Sequence, residues 1–420
     1  MQQLNYRRKE LFFEDVSLQS LADEFDTPLY VYSETALVEN FKRIDGAFGQ
    51  TPHLICYALK ANSNPAVLNR LKNLGAGADV VSGGELKLAL QAGISPNKIV
   101  FAGVGKRDEE IIAAIETGVL GLNVESEMEL QIIAELAKKL NKTAPISLRL
   151  NPDIDIHGHP YISTGRNQDK FGISLKHAAQ LLESIRSDNA LQLVGIHSHI
   201  GSQISELNTY RKIAKALGEF AKTASSACGP LRYIDVGGGL GVNYENPIAI
   251  EENVRGVDHF ALPPEEIVRV LVDGLSCPET TIVFEPGRSL IAAAGLLLTR
   301  VLFTKDLGDK RFVVVDAGMN DLLRPSLYSA YHEIVPVKIG SNERAVADIV
   351  GPICESGDFL AQNRSMPIVQ RNDLLAVLTA GAYGFTLASN YNARPLPAEI
   401  MVSGKEASLV RSRQKSVWAG

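Results

Sequence analysis

Two spacings of apolar residues alternate along the first two thirds of the chain. Short β-branched and aliphatic runs at 53–58, 78–82, 98–102, 120–124, 146–150, 192–199, 232–236 and 281–285 have the length and composition of buried strands. Between most of them the apolar period is 3.6. In 127–140 the apolar positions are Met128, Leu130, Ile132, Ile133, Leu136 and Leu140, with Lys138 and Lys139 on the wet side, which predicts an amphipathic helix. Ser82-Gly83-Gly84-Glu85 turns a strand into a helix over 85–92 that Gly93 ends, and similar signals predict helices over 108–117 and 206–224. Eight such units imply a parallel TIM (β/α)8 barrel, whose chemistry sits at the C-terminal ends of the strands. An open, doubly wound sheet of six or seven units is the alternative.

Past about residue 289 the pattern changes. Strands are expected at 296–303, 312–316, 345–351 and 373–378, linked by Gly and Asp turns with little helical period, which predicts a separate C-terminal, mostly antiparallel β domain. Segments 11–13 and 29–31 are expected to add edge strands to it, leaving 34–48 as the barrel's first helix. The expected domains are therefore a barrel over 32–288 and a β domain made of 1–31 and 289–420.

A length of 420 residues with 45% hydrophobic and 21% charged positions suits a barrel plus a smaller partner, and excludes disordered and coiled-coil classes. The net charge of −6 comes without a basic stripe, so no nucleic-acid partner is expected. The longest apolar run, 290–298, falls well short of the roughly 20 residues that a bilayer span needs. Residues 1–14 contain no apolar signal-peptide core, so the protein is expected to be soluble and cytoplasmic, with no membrane partner. Cys56, Cys228, Cys277 and Cys354 follow no CxxC or metal-finger spacing and read as reduced thiols.

The strand ends carry the candidate chemistry. Lys60 follows the first strand, where partial burial would favour Schiff-base chemistry; the plain alternative is a surface lysine opening a loop. His197 and His199, two apart on the sixth strand, read as a metal pair, as a ring stacked on a planar cofactor with Ser202 on its phosphate, or as bonded core histidines. Gly237-Gly238-Gly239 after the seventh strand would let backbone amides approach an anion, although a glycine run is often only a tight turn. Glu285-Pro286-Gly287-Arg288 closes the eighth, so the glycine run and this segment coincide with the phosphate site usual in such barrels. Farther on stand Arg324 and Tyr328, four apart, Cys354-Glu355-Ser356-Gly357-Asp358, and Gly381-Ala382-Tyr383-Gly384. Arg324 and Tyr328 have a plain reading on a surface helix and Cys354 in a core, which its charged neighbours weaken.

YALKAN (57–62), HSHIGS (197–202), DVGGG (235–239), EPGR (285–288), CESGD (354–358) and GAYG (381–384) together resemble the pyridoxal-phosphate decarboxylases of the alanine-racemase fold type. NPDIDIHGHPYISTGRNQDKFGI (151–173), MNDLLRPSLY (319–328) and YNARPLPAE (391–399) are most similar to the diaminopimelate decarboxylase family, and the likeness covers residues 30–399. The resemblance implies pyridoxal 5'-phosphate as cofactor, no metal, and a homodimer whose β domains complete shared active sites. It implies that Lys60 is the Schiff-base lysine and that His199 stacks on the cofactor ring. Ser202, Gly239, Gly287, Arg288 and Tyr383 would hold the cofactor, with Glu285 at the pyridine nitrogen. A carboxylate there keeps that nitrogen protonated, which favours decarboxylation over racemisation.

Arg288, Arg324, Tyr328 and Tyr383 would contact substrate, the arginines taking a distal carboxylate. Glu355 would take the distal ammonium and Cys354 would return the proton, both from the neighbouring subunit. The implied reaction is decarboxylation of meso-diaminopimelate to L-lysine, the last step of lysine biosynthesis. Rivals are a decarboxylase for arginine or ornithine, a metal-dependent barrel hydrolase using His197 and His199, and a non-catalytic homologue. The loop carrying His157 and His159 is expected either to cap the site or to pack against the barrel mouth.

Overall fold

The computed structural model describes residues 3–154, 170–245, 258–277, 279–340 and 343–415; His157 and His159 lie outside them. The chain divides into two compact units. One comprises Phe41–Gly241 and Phe260–Gly287, the other Met1–Asn40, Val242–His259 and Arg288–Gly420.

Among the described residues, the first unit holds eight parallel strands that close on themselves. They are β1 (His53–Ala58), β2 (Gly77–Val80), β3 (Ile99–Phe101), β4 (Gly121–Val124), β5 (Ala144–Asn151), β6 (Leu191–His197), β7 (Tyr233–Asp235) and β8 (Thr281–Phe284), with β8 pairing back to β1. Every residue of β2, β3, β4 and β7 is buried, as expected where helices cover a parallel barrel outside and side chains fill it within. The expected strand at 192–199 stops at His197. Its neighbour β7 ends at Asp235, the Cα partner of His197, and one last bond runs from Ser198 N to Asp235 O at 3.0 Å. His199 therefore lies beyond the strand, and strand alternation does not set its direction.

Helices after β2 and β4 begin alike. Ser82 accepts from Glu85 N, and Glu85 reaches back to Val81 N at 2.8 Å; Ser126 accepts from Glu129 N, and Glu129 reaches back to Glu125 N at 2.6 Å. Each start thus uses a side-chain oxygen for helix amides that would otherwise lack partners, with acid near the positive helix end. These caps fix where the strand-to-helix loops leave the barrel.

The second unit is built on a mostly antiparallel sheet, as expected, with two parallel pairings. Lys310–Val315 pairs in parallel with Arg344–Val350, and Leu29–Ser33 in parallel with Ala398–Ser403; the other pairs of the sheet are antiparallel. The expectation of two edge strands near the N-terminus is overturned. Residues 11–13 belong to a separate three-stranded sheet with Leu4–Arg7 and Val16–Ser17. Leu29–Ser33 is interior, between Gly295–Leu307 and Ala398–Ser403, with all five residues buried. Its alternation explains this: Leu29 and Val31 join an aliphatic core with Leu296, Leu298 and Ile400, while Tyr30 and Tyr32 bond Asp321 O and Glu399 Oε1, both at 2.7 Å. No helix among the described residues is long and apolar enough to cross a membrane.

Tyr233 fills the barrel interior with Cys56, Val100, Val194 and Val283. Its ring needs glycine on two facing strands: a Cβ at Gly121 would meet the hydroxyl at 2.1 Å, and one at Gly195 would meet the ring at 2.6 Å. Gly195→Ala is therefore expected to lower unfolding free energy by about 1–3 kcal/mol through overpacking. Gly46, exposed on a helix with open space where a methyl would stand, is the control; Gly46→Ala should raise stability by about 0.5–1 kcal/mol. Denaturant unfolding of both variants checks the pair.

Candidate active site

The strand register brings titratable side chains to one end of the barrel. Arg149, His197 and Asp235 are Cα partners in one row across β5, β6 and β7, and Glu285 follows β8 directly. Lys60 lies on the turn Leu59–Ala61 after β1, and Asp79 on β2 is the Cα partner of Ala58. Lys60 Nζ meets Asp79 Oδ2 at 2.9 Å, the lysine part-exposed and the aspartate fully buried.

His197 Nε2 lies 3.3 Å from Glu285 Oε2. Glu285 is 4% exposed, and its other oxygen, Oε1, has no hydrogen-bond partner. Burial pushes this carboxyl up, but His197 and Lys60 more than reverse that, leaving it below the usual carboxylate range. Asp235 goes the opposite way: burial and then the Glu285 charge push it well above that range, although its Oδ1 accepts from Gly237 N at 2.9 Å. Asp79 is also raised, by burial and then Glu285, against the pull of Lys60. Neighbouring carboxyls in a dry site do not all ionise, so the proton settles on the partner with less compensation.

His199 takes a different partner from His197. Its Nδ1 accepts from Gly238 N at 3.1 Å, so the ring proton lies on Nε2, and burial, then Lys60 and Arg149, hold it neutral. The two imidazoles therefore do not form a chelating pair. His197, Asp235 and Glu285 do place ligand-type atoms within 4.8 Å of one another, but His197 Nε2 is already committed to Glu285.

The glycines after β7 and β8 form tight backbone. Gly237 and Gly239 have φ of 66° and 88°; a Cβ at Gly238 would strike Glu285 O at 2.0 Å, and one at Gly239 would strike Gly201 O at 2.4 Å. The amides of Gly237 and Gly238 are used by Asp235 and His199. Those of Gly239 and Gly287 have no acceptor among the described residues and remain as donors for an anion.

The second unit carries its own cluster. Arg288 Nη1 donates to Tyr244 OH at 2.6 Å, and its guanidinium lies 4.9 Å from the Tyr383 ring centroid. Arg324 begins the one-turn helix Arg324–Tyr328, only 5% exposed rather than on a surface helix, and stacks on Tyr244 at 4.6 Å. Burial pushes the Tyr244 phenol up, and Arg288 with Arg324 pulls it further down, to a net value below the ordinary one. Tyr328 is close enough to bear on both arginines electrostatically. Cys354 and Glu355 are exposed, and Glu355 accepts from Tyr391 OH.

Residues 34–292 match the family model for the pyridoxal-dependent decarboxylase, pyridoxal binding domain. The diaminopimelate decarboxylase of Aquifex aeolicus is 47% identical over 98% of this chain and 95% of its own, and that of Vibrio cholerae 44% over 100% and 98%. The chain belongs to the diaminopimelate decarboxylase family. The crystal structure of the Helicobacter pylori diaminopimelate decarboxylase, complexed with L-lysine, matches with a TM-score of 0.87 at 41% identity, covering 94% of this chain and 96% of that one.

This diaminopimelate decarboxylase family member uses pyridoxal phosphate, and its residues fit that cofactor. A buried carboxylate oxygen without a partner suits a protonated ring nitrogen, and the glycine amides suit a phosphate. Lys60, His199, Ser202, Gly239, Glu285 and Gly287 all lie in the barrel unit, and Arg288, Arg324, Tyr328, Cys354, Glu355 and Tyr383 in the sheet unit. Sequence reasoning did not single out Asp79, Asp235, Tyr244, His332, or the Glu125–Arg149 pair at 2.6 Å, in which both side chains are buried. Asp79 had a signal, as one acid inside an apolar strand; His332 had none.

Glu85, beside Asp79, has its carboxyl pushed up to about 7, by burial first and then by Asp79, against the Val81 N–H bond. The folded state thus holds this proton more tightly than the unfolded chain. Its contribution is present below the ordinary carboxylate range and is lost as pH rises toward 7. Between pH 5 and 8, Glu85→Gln should lose about 1–2 kcal/mol less stability than the wild type, allowing for solvent screening. Unfolding curves at both pH values test this.

Proposed function

We propose that this chain converts meso-diaminopimelate to L-lysine and carbon dioxide, the final step of lysine biosynthesis, as a pyridoxal phosphate-dependent carboxy-lyase. The observation that carries the reaction class is Glu285: buried, held below the usual carboxylate range, bonded by His197 through one oxygen and open at the other. When bound, the cofactor supplies an electron sink for the pair left as carbon dioxide departs. Identity above 40% over nearly the whole length of diaminopimelate decarboxylases supports the substrate.

The chain's own residues would divide the work as follows. Lys60 holds the cofactor's aldehyde carbon, with Asp79 orienting its amine. Glu285 holds a proton at the ring nitrogen, and neutral His199 covers the ring face without adding a charge. Ser202 and the amides of Gly239 and Gly287, with Arg288 and Tyr383, bind the phosphate end. Arg288, Arg324, Tyr328 and Tyr383 contact the substrate, whose distal carboxylate suits guanidinium partners. Ornithine and arginine carry a cation at that end, which two arginines would repel.

Cys354 delivers the proton to the carbon that loses carbon dioxide, and Glu355 takes the distal ammonium, each from a second copy of the chain. Their exposure on this copy supports a homodimer with shared sites. Four free cysteines suit the reducing cytoplasm.

The test is a panel of meso-diaminopimelate, arginine and ornithine, with carbon dioxide release and amine products followed. Lysine from meso-diaminopimelate alone is expected, whereas turnover of only arginine or ornithine would overturn the substrate assignment. Cys354→Ala is expected to cut turnover about 10²–10⁴-fold with an unchanged melting profile. Near-normal turnover of that variant would remove Cys354 from its role.

A further inference from the structure

His332 is a fully buried histidine in the sheet unit, and no step proposed above uses it. Its Nδ1 lies 2.8 Å from Leu378 O, an acceptor only, so that nitrogen carries the proton. Nε2 is thereby left as an acceptor, and Arg324 Nη1 approaches it at 2.7 Å. Two further guanidiniums act on the same ring: Arg288, and Arg364, which donates to His332 O at 3.1 Å. Tyr244 packs edge-on against the imidazole at 5.3 Å and under the Arg324 guanidinium at 4.6 Å.

A buried arginine is ordinarily held by a carboxylate, which orients it and also neutralises it. Among the described residues Arg324 has no carboxylate at ion-pair distance; an imidazole and a phenol ring hold it. A neutral acceptor fixes the direction of one N–H while leaving the positive charge uncompensated. That charge is then available to a ligand, and the Leu378 carbonyl locks the tautomer on which the arrangement depends.

We propose that His332 is a positioning residue for substrate selection: a neutral holder that aims Arg324 at the distal carboxylate of the substrate without quenching its charge. The inference rests on the reading that Arg324 binds that carboxylate, and the experiment separates the two.

Wild type, His332→Phe, His332→Gln and Arg324→Gln would be assayed for KM and kcat with meso-diaminopimelate, and for competitive inhibition by D-lysine, which keeps the carboxylate of the reacting D-centre but lacks the distal one. Loss of one oriented bond to a charged group should raise the KM of His332→Phe about 10–100-fold, with kcat changing far less. Its inhibition constant for D-lysine should stay within about threefold of the wild type, which a general collapse of the site would not allow. Glutamine can still accept from Arg324, so His332→Gln should recover most of the loss. Arg324→Gln should raise KM at least as far as His332→Phe. A raised KM in Arg324→Gln with an unchanged KM in both His332 variants overturns the inference and keeps the carboxylate reading. An unchanged KM in Arg324→Gln overturns that reading, and this inference with it. Equal weakening of substrate and D-lysine in His332→Phe and His332→Gln would mark His332 as merely structural and overturn the proposal.

Discussion

A carboxylate taken out of water must be bonded, paired or protonated, and the barrel mouth is organised around that constraint at Glu285. Three acids, Asp79, Asp235 and Glu285, lie almost wholly buried at the ends of β2, β7 and β8. They are not equivalent, because their partners are not. His197 favours the charge on Glu285, Lys60 partly favours it on Asp79, and Asp235 has a single amide bond and the Glu285 field against it. The result is a site in which one carboxyl is kept anionic by the others' neighbours, which is the state a protonated pyridine requires.

The sheet unit meets the complementary problem of holding buried positive charge. Arg288 and Arg324 are oriented by a phenol oxygen, aromatic faces and a neutral imidazole. Elsewhere the chain uses the usual solution for a buried guanidinium: Arg149 is closed by Glu125, which also accepts from Gly103 N and Gly172 N and so ties loops beyond β3, β4 and β5 together. Breaking such a pair costs roughly 3–5 kcal/mol because one charge is left stranded. One protein thus treats buried arginine in two ways, neutralised where it braces the fold and left charged where the proposed ligand is an anion.

The barrel was legible because its strands are short apolar runs, most of them followed by an amphipathic helix, and both periods survive in the sequence. Strand ends were less legible, since they depend on where the neighbouring strand runs out, as Asp235 does beside His197. The segment 29–31 reads as an edge strand because a short apolar run does not reveal how many partners it has. The motif residues Lys60, His199 and Glu285 stood out by their position at strand ends. His332 and Tyr244 did not, since their importance lies in what packs against them, and Arg324 gave no sign of burial at the head of a one-turn helix.

The central place of Leu29–Ser33 has a consequence for synthesis. Its antiparallel partner starts at Gly295 and its parallel partner at Ala398, so the strand is made well before either and must wait for the whole barrel to be made before it can pair. β8 ends at Phe284, so the barrel's ladder can close on the ribosome while that early strand is still without its neighbours. Sequence separation of this kind slows folding, and an apolar strand with open edges is a site for wrong association. The nascent protein therefore carries an unpaired apolar strand for as long as the barrel takes to be made.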